Sequence, residues 1–73
     1  METHNNLLEK IGDNIRSFRN IKGMSQQVLG DVSNVAKSTI KRIESGKLNP
    51  TILMLQKIAS TLEIGLDELI KIR

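Results

Sequence analysis

Apolar positions along this 73-residue chain recur at spacings of three and four rather than two, the signature of amphipathic helices rather than half-buried strands. Leu8, Ile11, Ile15 and Phe18 mark one face of a first helix, predicted over residues 7–22 and stopped by Gly23. Ser25 is a good N-cap for a second helix over 26–32, with Val28 and Leu29 expected to face inward. Asn34 then marks a tight turn, because Asn tolerates left-handed backbone better than most side chains. A third helix is expected over 36–45 with Gly46 as its stop, followed by a loop over 47–50. Thr51 caps a fourth helix reaching Leu62, its inner face built from Ile52, Leu55, Ile58, Ala59 and Leu62. A short fifth helix over 66–72 follows Gly65, with Asp67 and Glu68 in the first turn where the helix dipole favours acids. The pattern predicts an all-α fold of five short helices: a flexible tail over 1–6 and one domain over 7–73.

Charge changes this picture most. Residues 37–47 contain Lys37, Lys41, Arg42 and Lys47 against Glu44 alone, and so carry the entire net charge of +3. Basic excess confined to one helix is an electrostatic footprint whose commonest partner is nucleic acid. Phe18 is the only aromatic residue, so the chain lacks the stacking platforms on which single-strand and RNA readers of the sheet type depend. Duplex DNA is the favoured polymer. No apolar run approaches the roughly 18 residues that would suggest a membrane span. The polar start, METHNN, lacks the pattern of an export signal. Absence of cysteine excludes disulfides and thiol chemistry and fits a cytoplasmic protein.

On a helical wheel Ala36, Ile40 and Ile43 fall together, almost opposite Lys37, Ser38, Lys41 and Arg42. One face can pack on the protein while a face with three cations and no acid meets a partner. A short helix, a turn at Asn34 and then a basic helix match a helix-turn-helix, whose second helix enters the major groove. With Gly23-Met24-Ser25-Gln26-Gln27-Val28-Leu29, Asn34-Val35, Ile40, Ile43-Glu44-Ser45-Gly46-Lys47, Asn49-Pro50-Thr51 and Leu66-Asp67-Glu68-Leu69 in this order and spacing, the chain resembles the lambda-repressor-like (Cro/C1, Xre-type) DNA-binding domains from about Leu8 to Ile70. Three positions depart from that pattern. Gly30 stands where Ala is usual, at an expected cost of about 1 kcal/mol in helix propensity. Asn34 replaces the turn glycine. Ala36 replaces the Ser or Thr that caps the recognition helix, a loss of about 1 kcal/mol.

The resemblance implies roles for individual residues. Arg42 matches a base-reading position, where a guanidinium can donate twice to guanine. Lys37 and Ser38 lie at the start of the recognition helix, which reaches base edges. Lys41 shares that face, with base and phosphate both open to it. Gln26 matches a phosphate-clamping position at a helix N-terminus, and Lys47 and Asn49 are further phosphate candidates. Arg19 and Glu44 match an internal ion pair tying the first helix to the end of the third. Leu53 and Met54 lie off the core stripe of the fourth helix. Incidental surface apolarity and a dimer contact assisted by Ile64 or Ile72 are both open readings.

Enzyme-like patterns do not hold together. Ser38-Thr39-Ile40-Lys41 matches S-x-x-K without the companion motifs of lysine-assisted hydrolases. His4 is the sole histidine, Gly46-Lys47 lacks the upstream glycine of a phosphate-binding loop, and no cofactor is implied. The expected function is sequence-specific duplex DNA binding in transcriptional regulation, as a repressor homodimer on a palindromic operator. A chain ending just after its fifth helix suits a stand-alone Cro-like regulator or a restriction-modification controller. An antitoxin with a small protein (toxin) partner, and an interaction module whose basic helix is incidental, are the alternatives.

Overall fold

A computed structural model describes residues 4–72, all of whose regular elements are helical. Five helices follow in order: α1 (His4–Ile21), α2 (Gln26–Ser33), α3 (Lys37–Glu44), α4 (Ile52–Leu62) and α5 (Leu66–Leu69). Helix α1 lies across α3, α4 and α5, and α2 packs against α3 and α4. Ile15, Leu29, Ile40, Ile43, Ile58, Leu62 and Leu69 are fully buried, with Ile11, Val35, Leu55 and Ala59 completing the core. Phe18, Met24, Leu48, Met54, Ile64, Leu66 and Ile70 pack around it. Every helix contributes, so no element can shift without disturbing the rest. Truncating one such Ile or Leu to Ala costs about 2–5 kcal/mol, against a total stability on the order of 4–11 kcal/mol for this length. No helix among the described residues is long and apolar enough to cross a membrane.

The structure corrects several expected boundaries and faces. Helix α1 begins at His4, so residues 4–6 lie in its first turn rather than in a tail; residues 1–3 are outside the described range. Once the Leu8–Ile11–Ile15 stripe is anchored, adding a turn costs far less than nucleating one. Val28 is 45% exposed, because Leu29 and Ser33, one turn apart, define the inner face of α2. The Ser33 hydroxyl is satisfied there by donating to the Leu29 carbonyl. Ile52 is 65% exposed, since it precedes the Leu55–Ile58–Ala59–Leu62 stripe by nearly a turn. Ala36 is exposed as well: its extended backbone (φ −57°, ψ 142°) places it before the helix rather than on its wheel. Helix α5 stops at Leu69 instead of Ile72. The Leu69 and Lys71 carbonyls turn toward α1, where Asn14 Nδ2 donates to both at 2.9 Å.

Candidate nucleic-acid interface

The turn between α2 and α3 is built as its residues dictate. Ser25 Oγ accepts from Val28 N–H (3.0 Å) and starts α2. Asn34 ends it in the left-handed region (φ 60°, ψ 42°), and Val35 N–H closes on the Gly30 carbonyl at 2.9 Å. The same fold-back brings the Val35 carbonyl within 2.6 Å of where a Cβ at residue 30 would stand. Gly30 is therefore not merely a propensity loss: in this chain the turn is closed too tightly for the usual Ala.

Helix α3 leaves that turn with Ile40 and Ile43 buried and Lys37, Ser38, Lys41 and Arg42 exposed together on the opposite side. Its first turn has no side-chain cap, as expected from Ala36. Its last turn is closed by Gly46 at φ +74°, a conformation that favours glycine. Lys47 N–H bonds the Arg42 carbonyl there at 2.9 Å. That bond fixes the Lys47 backbone beside the basic face while its side chain remains exposed.

The C-terminal end of α3 is held by a polar cluster. Arg19 grips the buried Glu44 carboxylate through two hydrogen bonds, Nε to Oε2 at 2.7 Å and Nη2 to Oε1 at 3.0 Å. Its third nitrogen donates to the Met24 carbonyl at 2.8 Å. The ion pair implied by the family resemblance is thus present, and it also fixes the loop entering α2. Gln26 Nε2 donates to Glu44 Oε1 at 3.1 Å, so this phosphate candidate is half-buried and engaged inside the protein. Burial pushes the Glu44 carboxyl up in pKa. Hydrogen bonds from Arg19 and Gln26, with the charges of Arg19 and Arg16, outweigh that and hold it below the usual carboxylate range. The hydrogen-bonded carboxylate in turn raises Arg19 above its ordinary value.

Two further residues of this cluster escaped sequence reasoning. Arg16 Nη2 donates to the Glu44 backbone carbonyl at 2.9 Å, and its Nε lies 3.5 Å from Glu44 Oε1. Gly12 allows α1 to touch the same turn: a Cβ there would stand 2.5 Å from the Glu44 carbonyl oxygen and 2.6 Å from that of Ile43. Gly12, Arg16 and Arg19 are spaced four and three residues apart, so they line one side of α1. A glycine followed at that spacing by two arginines was the available signal.

The dimer candidates divide. Met54 and Ile64 are partly buried against the core, whereas Leu53 is 67% and Ile72 39% exposed. Ile52 and Leu7 are exposed too, and both line an apolar groove of about 360 Å³ with Leu8, Ile11, Leu55 and Ile70. Asn49 and Pro50 close one side of this groove. Asn49 is therefore exposed at the edge of an apolar surface.

An exposed basic helix behind a tight turn, anchored at its far end to a preceding helix, defines a helix-turn-helix module. The chain belongs to the HTH_3 helix-turn-helix family, whose model matches residues 15–69; its members are DNA-binding transcription regulators rather than enzymes. It is 43% identical over 60 residues to the HTH-type transcriptional regulator SlrR of Bacillus subtilis, an alignment covering 81% of this chain and 40% of SlrR. Over 62 residues it is 31% identical to the control protein C.SmaI of Serratia marcescens, covering 85% of this chain and 74% of that protein. The crystal structure of the restriction-modification controller protein C.AhdI of Aeromonas hydrophila superimposes with a TM-score of 0.84 at 34% identity, covering 85% and 94% of the two chains.

Proposed function

We propose that this chain is a sequence-specific duplex DNA-binding regulator that acts as a repressor, binding a palindromic operator as a homodimer. The observation that carries the proposal is the outer face of α3: Lys37, Ser38, Lys41 and Arg42 stand exposed, with no acid among them, above a buried Ile40–Ile43 seam. Such a helix presents donors to base edges in the major groove, and Arg42 can bond guanine O6 and N7 together. Lys47 and Asn49 would meet phosphates. So would the remaining amide hydrogen of Gln26, since its Nε2 carries two and Glu44 takes one. The exposed apolar side chains of Leu53, Ile52, Leu7 and Ile72 suit contact with a second copy, which would set two recognition helices about 34 Å apart on one side of the duplex. Likeness to C.AhdI and C.SmaI, named as controller and control proteins, supports a small regulator of the controller kind.

Selection of bound sites from random duplexes, followed by titration over a salt series, tests this reading. Affinity should fall steeply as salt rises, because each neutralised phosphate releases counterions. Arg42→Ala should cost about 1–3 kcal/mol and relax preference at one base pair, whereas Lys47→Ala should weaken all sequences alike and reduce the salt slope by about one. Unchanged sequence preference in Arg42→Ala would overturn the assignment of the reading face.

A further inference from the structure

We infer that Arg16 is a positioning residue for the recognition helix, setting the tilt of α3 without itself touching DNA; the inference rests on the DNA-binding reading above. Helix α3 has only eight residues and no side-chain cap at its start. Besides the Ile40–Ile43 seam, its orientation depends on the tether at Glu44. Three groups from one side of α1 meet that turn: Gly12 lets the backbones touch, Arg19 binds the carboxylate, and Arg16 Nη2 bonds the main-chain carbonyl at 2.9 Å. Arg19 alone would hold a side chain with rotatable bonds. Arg16 holds the backbone, and is itself steadied by Asp13 Oδ1, which accepts from its Nη1 at 3.2 Å.

Over a helix of about 12 Å, a tilt of about 5° moves one end by about 1 Å relative to the other. That is enough to spoil a bidentate base contact, whose donor–acceptor distances must stay within about 2.7–3.2 Å. Contacts between long lysine side chains and phosphates absorb the same displacement. The Arg16 side chain is 45% exposed, so its removal opens no core cavity. Its effect should therefore appear in discrimination between sequences before it appears in global stability.

The test compares wild type, Arg16→Ala and Arg16→Lys in two arms at a temperature where all three are folded. Without DNA, amide hydrogen exchange is followed by NMR. In Arg16→Ala the amides of the last turn of α3 and of Ser45 to Lys47 should exchange about tenfold faster, while those of α2 and α4 keep their rates. With DNA, Kd is measured for a selected duplex and a scrambled one over a salt series. Arg16→Ala should bind the selected duplex about tenfold more weakly and the scrambled duplex as before, with the salt slope unchanged. Arg16→Lys keeps the charge but not the planar fork, and should recover less than half of the lost discrimination. Equal weakening on both duplexes with a shallower salt slope would make Arg16 a phosphate ligand and overturn the proposal. Unchanged exchange at the end of α3 would overturn it without reference to DNA. Faster exchange there, in a protein whose wild type does not distinguish the two duplexes, would keep the tether and sink the DNA-binding reading instead.

Discussion

A single methyl group placed on Gly12 tests how closely α1 and α3 are fitted. In an exposed helix interior Gly→Ala gains about 1 kcal/mol of propensity. At Gly12 the new Cβ would stand 2.5 Å from the Glu44 carbonyl oxygen and 2.8 Å from the carbonyl carbon. Both are backbone atoms that cannot rotate away. Restoring a tolerable carbon–oxygen contact of about 3.3 Å requires the helices to part by about 0.8 Å. Overpacking of this kind costs about 1–3 kcal/mol. The displacement also stretches the Arg16–Glu44 carbonyl bond, which adds about 1 kcal/mol because the Arg16 side chain is 45% exposed and screened by solvent. The penalties outweigh the propensity gain, leaving a net loss of about 1–3 kcal/mol. For a domain of this size each kcal/mol lowers Tm by about 4–8 °C, so Gly12→Ala should melt on the order of 5–20 °C below wild type when followed by far-ultraviolet circular dichroism. A Tm equal to or above wild type would refute the close approach.

Four other outcomes follow from the same structure. Because the folded-state pKa of Glu44 is depressed, its contribution to stability is complete above the usual glutamate range and is lost as pH falls through the lower folded value; urea midpoints between pH 7 and pH 2.5 should decline accordingly. Glu44→Gln should lose about 3–5 kcal/mol at neutral pH by leaving Arg19 unpaired, and the gap to wild type should narrow in acid. Ala36→Ser supplies the missing cap at the start of α3 and should raise stability by about 1 kcal/mol in denaturant melts; no gain would mean that the first-turn amides are already satisfied. Leu53→Asp should weaken self-association in sedimentation equilibrium while leaving Tm of the dilute protein near wild type, and an unchanged association constant would remove Leu53 from the interface.

Much of the fold was legible because its signals are local. Leu8–Ile11–Ile15, the Ser25 and Thr51 caps and the Asn34 turn each lie within a few residues of what they govern, and each appears as expected. Misplaced side chains sit at helix margins. Ile52 occupies a first turn, Val28 the border of a two-turn face and Ala36 a cap, where periodicity over so few residues leaves the direction undetermined. The cluster around Glu44 was half legible. Arg19 came through the family pattern, but Arg16 meets its partner 28 residues away; outside the cluster, Asn14 likewise reaches carbonyls 55 and 57 residues distant. Gly12 carries no side chain to announce a contact. The resemblance implies a phosphate role for Gln26, whereas its inward bond to Glu44 depends on how α2 and α3 cross, which no spacing encodes.

The shortness of α3 bears on how much address information one copy can hold. Eight residues span about 12 Å, and a duplex rises about 3.4 Å per base pair, so one recognition helix covers roughly three to four base pairs. A four-pair word recurs by chance about once in 256 pairs, which leaves thousands of decoys in a genome of about a million. Two mirrored words read together recur about once in 65,000 pairs, and the decoys fall to about fifteen. On the proposed homodimer, choosing a promoter would be a property of the pair. The exposed side chain of Leu53 would then do as much to specify the address as the guanidinium of Arg42.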